Sequence, residues 1–155
     1  MKGDLAGYIR KVDVMFDRAE ARLENIAKTW MVYVVEDLLE STYGPGNQYD
    51  QTQYIATGRL RAGWQYGMAA PATASRMTGG PYDETGEETA ARIATQIRQA
   101  PLPATAVVYN EVGYAILIHY GLEGHEHIGP RPWVDEVAKR SQDHFERAKA
   151  DVGRG

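Results

Sequence analysis

Apolar residues recur at alternating steps of four and three along the first 33 positions of the chain. Because an α-helix turns once every 3.6 residues, this spacing places them on one helix face as a heptad seam. The seam consists of Leu5, Ile9, Val12, Phe16, Ala19, Leu23, Ile26, Trp30 and Tyr33. Beyond Trp30 the chain is apolar on nearly all sides, which is typical of a helix that enters a core. The sequence "YGPGN" then ends the pattern, so we predict one long helix within residues 1–41.

The predicted helix is long for the size of the protein. At 1.5 Å per residue it extends about 55 Å, whereas a single domain of 155 residues has a radius of gyration of about 15 Å. One end of the helix is therefore expected to project or to pack on another subunit. For its second half, packing across a sheet of the same chain is an equally good alternative.

Two segments have the pattern of short strands. "TGRLRAGWQYGM" (57–68) alternates apolar and polar residues, which places Arg59 and Arg61 on the polar side of a strand. With Arg76 these arginines could form a small basic patch for nucleic acid, but a solvated strand face that discourages edge pairing is the simpler interpretation. "ATAVVYN" (104–110) is predicted to be the second strand.

Two further helices follow from the helical period. "EETAARIATQIRQA" (87–100) follows a Thr85–Glu88 pair at capping-box spacing and should bury Ala90, Ile93, Ala94 and Ile97. "PWVDEVAKRSQDHFERAKADV" (132–152) should bury Val134, Val137, Ala138, Ser141, Phe145 and Ala148. Residues 69–85, rich in Pro, Gly and Thr, are predicted to be a mobile surface loop that orders on docking.

These elements predict an α+β fold in a single domain, residues 1–155. It consists of a long N-terminal helix (1–41) and an α+β core (57–150) with a small β-sheet, a middle helix and a C-terminal helix.

Composition excludes several classes of function. The chain contains no cysteine, so disulfides, thiolate nucleophiles and zinc sites with sulfur ligands are impossible. Its 17 basic and 21 acidic residues argue against a dedicated binder of nucleic-acid phosphates. The N-terminus is charged where a signal peptide is apolar, and no apolar run approaches the roughly 20 residues of a membrane span. We expect a soluble protein, made in the cytoplasm, with no membrane association.

Three histidines form the best candidate for chemistry. His119, His125 and His127 lie within nine residues and could share a metal ion. Their spacing matches none of the defined zinc motifs, and the segment around them is rich in glycine, as in a flexible turn. No serine lies in a nucleophile elbow and no glycine-rich loop has phosphate-binding spacing. The sequence predicts neither a catalytic site nor a cofactor, and leaves the histidines as a weak metal candidate.

The segment "NEVGYAILIHYG" (110–121) is predicted to be a structural corner. Asn110 can end a strand by hydrogen bonding to nearby backbone groups, and Gly113 can turn the chain. Residues 114–120 could be strand or short helix, and should pack as one apolar block on the sheet and long helix. Gly121 then leads into the loop that carries the last two of these histidines.

Four segments, taken in order, resemble the neck and tail-completion (head–tail joining) proteins of long-tailed bacteriophages and prophages. They are "ATGRLRAGW", "GEETAARIATQIRQ", "VVYNEVGYAILIHYG" and "GPRPWVDEVAKR", and they cover about the last two-thirds of the chain. That family usually has glutamate at the position of His119 and often proline at Gly113. The motif positions matched here are Thr57, Gly58, Arg59, Leu60 and Arg61; Asn110, Tyr114, Ala115, Tyr120 and Gly121; and Arg131, Pro132 and Trp133.

The resemblance implies a structural protein of the virion, located at the joint between head and tail. Such proteins form a ring, most often of six copies, between the head-side connector or stopper proteins and the tail terminator or tail tube. DNA passes through the lumen without specific binding, and no reaction is implied. Two alternatives stay open: a terminator ring that caps the tail tube, and a small metal-binding protein or metal-dependent enzyme that uses the three histidines.

Overall fold

The computed structural model describes residues 5–42, 58–67, 82–102, 105–121 and 132–154. Within these ranges the element order is helix, helix, strand, helix, strand, helix, helix. The bounds are α1 (Leu5–Ser41), α2 (Arg59–Ala62), β1 (Trp64–Gly67), α3 (Glu87–Gln99), β2 (Val107–Asn110), α4 (Ala115–Tyr120) and α5 (Trp133–Gly153). The predicted α+β class, with its long N-terminal helix, small sheet, middle helix and C-terminal helix, is confirmed in one compact body.

The second half of α1 forms the core together with α3 and α5. Lys28 donates to the carbonyl of Arg98 at the end of α3, and the Trp30 indole donates to the carbonyl of Ser141 on α5 at 2.9 Å. The Trp30 ring also meets Phe145 edge to face. The buried apolar residues of the core cluster are Val32, Val35, Leu38, Leu39, Leu60, Trp64, Ile93, Ala94, Ile97, Val112, Trp133 and Val137. This half of the helix therefore packs within its own chain.

The two strands form an antiparallel pair in which Trp64 lies opposite Asn110 and Gly67 opposite Val107. The strand predicted over 57–68 is partly wrong, because residues 59–62 form helix α2 and only the part from Trp64 is extended. An alternation of apolar and polar residues over four positions fits one helical turn as well as a strand. In the helix, Leu60 and Arg61 are both buried, so the solvated strand face predicted for Arg61 is also wrong.

The start of α3 is capped differently from the prediction. Asp83 accepts the backbone N–H groups of Gly86 and Thr89, at 2.9 and 2.7 Å, and Thr85 accepts that of Glu87. Burial raises the pKa of Asp83, but the hydrogen bonds that Asp83 accepts from Thr89, Gly86 and Thr85 outweigh burial and hold the pKa below its usual value. The predicted mobile loop thus includes residues with capping contacts; its positions 69–81 lie outside the described residues. Three of the four residues predicted on the buried face of α3, Ile93, Ala94 and Ile97, are buried, whereas Ala90 is half-buried and Thr89, which was not predicted, is buried.

The buried face of α5 is shifted from the predicted one. Val137 and Ala148 are buried as expected, but Val134 is 43% exposed and Ala138 is also exposed. The helix instead buries Trp133 and turns Arg140 and His144 toward α1. Two of these three residues are polar, and the apolar pattern could not identify them.

Candidate assembly surface and the sites around it

The first half of α1 carries an exposed apolar surface. We name it the α1 stripe, and it consists of the half-buried Val12 and seven exposed residues, Leu5, Tyr8, Ile9, Met15, Phe16, Ala19 and Leu23. Phe16 is 70% exposed, Leu5 and Met15 are 69% exposed, and Leu23 is 66% exposed. Monomeric soluble proteins rarely expose contiguous apolar surface on this scale, which usually marks a contact site. The heptad seam thus continues beyond the part of α1 that its own core covers.

A corner formed by the sequence motifs lies where α2, β1 and β2 meet. The Asn110 amide donates to the carbonyl of Leu60 at 2.8 Å, and its side-chain oxygen accepts the N–H of Val112 at 2.9 Å. A β-carbon on Gly63 would lie only 2.6 to 2.7 Å from Val112 and Asn110, so this approach requires glycine. The predicted role of Asn110, to end the strand through backbone hydrogen bonds, is confirmed.

The motif arginines Arg59 and Arg61 have structural contacts. Arg61 donates to the carbonyl of Glu84 at 2.7 Å, which ties α2 to the segment before α3. The Arg59 guanidinium lies 5.7 Å from the centre of the Tyr114 ring. Burial raises the pKa of Tyr114, and the positive charge of Arg59 partly opposes that rise. Both arginines thus take part in the packing of the corner.

Helix α4 settles the open alternative for residues 114–120 in favour of a helix. The expectation that this segment packs as one apolar block is wrong, because Ile116 is 63% exposed and Tyr120 is 71% exposed. Only one side of a helix can face the core, and Ala115 and Ile118 occupy that side. Gly121 follows the helix at a φ of 80° and a ψ of 169°, a backbone conformation that only glycine adopts readily.

His119 lies inside this packing rather than in a flexible turn. It is 8% exposed and meets the rings of Tyr120 and Trp133 edge to face at 4.7 and 5.4 Å. Its Nε2 atom is 3.7 Å from a carboxylate oxygen of Asp135, and its Nδ1 atom is buried without a hydrogen-bond partner among the residues that the structure describes. Within the described ranges, no group of three or more metal-ligating side chains comes together. The other two candidates, His125 and His127, and the motif residues Thr57 and Arg131 lie outside the described residues.

A polar cluster that the sequence reasoning missed joins α1 to α5. Asp37 receives two hydrogen bonds from Arg140, at 2.7 and 2.9 Å, and lies 2.6 Å from Nε2 of His144. Ser41 donates to Asp37 at 3.1 Å and accepts from Arg140 at 2.9 Å. A nucleophilic serine would instead donate to a histidine. The sequence offers one signal for this cluster: Asp37 and Ser41, like Arg140 and His144, are four residues apart, so each pair shares one helix face.

Electrostatics favour the charged form of Asp37. Burial alone raises its pKa, but hydrogen bonds from Arg140, His144 and Ser41 outweigh burial and lower the pKa below the ordinary value of 3.8. The hydrogen bond with Asp37 in turn raises the pKa of Arg140. The cluster therefore acts as an ionic clamp between two helices.

The Asp37→Asn variant is expected to lose about 2 kcal/mol of unfolding free energy at pH 7, because it removes the charge that Arg140 faces. The pKa of Asp37 is lower in the folded state than the unfolded value of 3.8, so the charged carboxylate stabilises the fold at pH values above 3.8. That stabilisation is lost as the pH falls through the pKa of the folded state. The difference between wild type and variant should therefore shrink below pH 4 in urea unfolding curves. Asp143→Asn, at an exposed neighbour of His144, is the control and should change stability by less than about 0.5 kcal/mol. An equal loss in both variants would refute the clamp.

An open pocket of about 530 Å³ lies between α2, β1 and the start of α3. Three of its polar side chains, Gln65, Asp83 and Arg92, already have structural partners. Asp83 caps α3, and Arg92 donates to Gln65 and to the carbonyl of Trp64. The hydrogen bonds from Arg92 attach β1 to α3.

Over the described residues, none of the helices combines the length and the apolar character needed to cross a membrane. Comparisons of the chain with models of protein families, with curated proteins and with solved structures found no match.

Proposed function

We propose that the protein is a structural component of a long-tailed bacteriophage virion, located at the joint between the DNA-filled head and the tail. It would be made in the cytoplasm of the bacterial host and assemble there into a ring, most often of six copies. The ring would contact connector or stopper proteins on the head side and the tail terminator or tail-tube proteins on the other. It would act through its shape and catalyse no reaction.

The observation that carries this proposal is the exposed α1 stripe. In the first half of α1, six large apolar side chains of the stripe are each more than half exposed: Leu5, Tyr8, Ile9, Met15, Phe16 and Leu23. Such a surface is costly in water and becomes favourable when a partner covers it. A ring subunit needs a surface of this kind, because every copy contacts two neighbours.

Two sequence features support the head–tail joint in particular. The first is the ordered motif that includes Gly58, Leu60, Asn110 and Trp133, whose resemblance is to neck and tail-completion proteins. The motif residues Leu60 and Asn110 meet in one corner, as a shared structural motif should. The second is the formal charge of -4, which is compatible with a lumen along which DNA moves without binding.

The test is a virion assembled without this protein. In the phage or prophage that encodes it, a stop codon early in the gene should yield filled heads and free tails of normal length in electron micrographs. Purified wild-type protein added to that lysate should restore joined, infectious particles. Tails of abnormal length would favour a terminator ring instead. Joined, infectious particles in the absence of the protein would overturn the proposal.

A further inference from the structure

We draw no further inference here: the strongest candidate, the exposed apolar α1 stripe on the first half of the long N-terminal helix, carries none because nothing in the part of the chain that the structure describes shows what covers it.

Discussion

Replacement of Trp133 by alanine is expected to lower the free energy of unfolding by about 4 kcal/mol. Trp133 is 1% exposed and belongs to the core formed with α1 and α3. It begins α5 and meets the ring of His119 on α4, so its side chain fills the space where both helices reach the core. Truncation removes the apolar contacts and leaves a cavity that neighbouring helices can fill only in part.

Denaturant unfolding of the variant at constant temperature measures this loss. Val134→Ala is the matched control, since it is the next residue on the same helix and is 43% exposed. Val134→Ala should lower the free energy of unfolding by less than about 1 kcal/mol. A loss of 4 kcal/mol is a large fraction of the 5 to 15 kcal/mol typical of a domain. Equal, small losses in both variants would mean that the interior position of Trp133 is wrong.

The long helix shows which part of the fold the sequence could predict. Its period is a local property, and the seam from Leu5 to Tyr33 indicated the helix without any tertiary information. The buried residues of α1, Val32, Val35, Leu38 and Leu39, lie off that seam, in the segment that is apolar on nearly all sides. Helix α3 was likewise predicted from its period. The exposed first half of α1 also follows from sequence, because a helix of about 55 Å exceeds what a core of this size can cover.

The errors occur where distant residues decide the local structure. Arg61 is buried because its guanidinium reaches the carbonyl of Glu84, 23 positions along the chain, and no local pattern contains that partner. The clamp between Asp37 and Arg140 spans 103 positions. Polar residues with such partners interrupt the apolar pattern, which shifted the predicted face of α5 onto Val134.

The motif residues illustrate a further limit. Asn110 could be predicted to end a strand, because its side chain commonly bonds to nearby backbone. Its second partner, the carbonyl of Leu60, is 50 positions away and makes the corner between β2 and α2. The sequence motif therefore identified the residues of the corner, and the structure identifies the contacts that join them.

The Gly58→Ala variant is expected to lose about 3 kcal/mol of unfolding free energy, from backbone strain of 1 to 2 kcal/mol and steric displacement of similar size. Gly58 precedes α2 at a φ of 74°, in the left-handed region. A β-carbon there would lie 2.5 Å from Cα of Glu84 and 2.9 Å from the carbonyl oxygen of Asp83. Both are backbone atoms of the segment that caps α3, so they cannot move aside without disturbing that cap.

Gly153→Ala provides the matched control for this substitution. Gly153 is the last residue of α5, and its added β-carbon would meet only the flexible end of Arg22, at 3.3 Å. Alanine also restricts the unfolded chain more than glycine does, so Gly153→Ala should leave stability unchanged or raise it by up to about 1 kcal/mol. Thermal and urea unfolding of both variants measure the contrast. If Gly58→Ala proved as stable as Gly153→Ala, the close approach of α2 to the start of α3 would be refuted, and with it the packing that positions the motif corner.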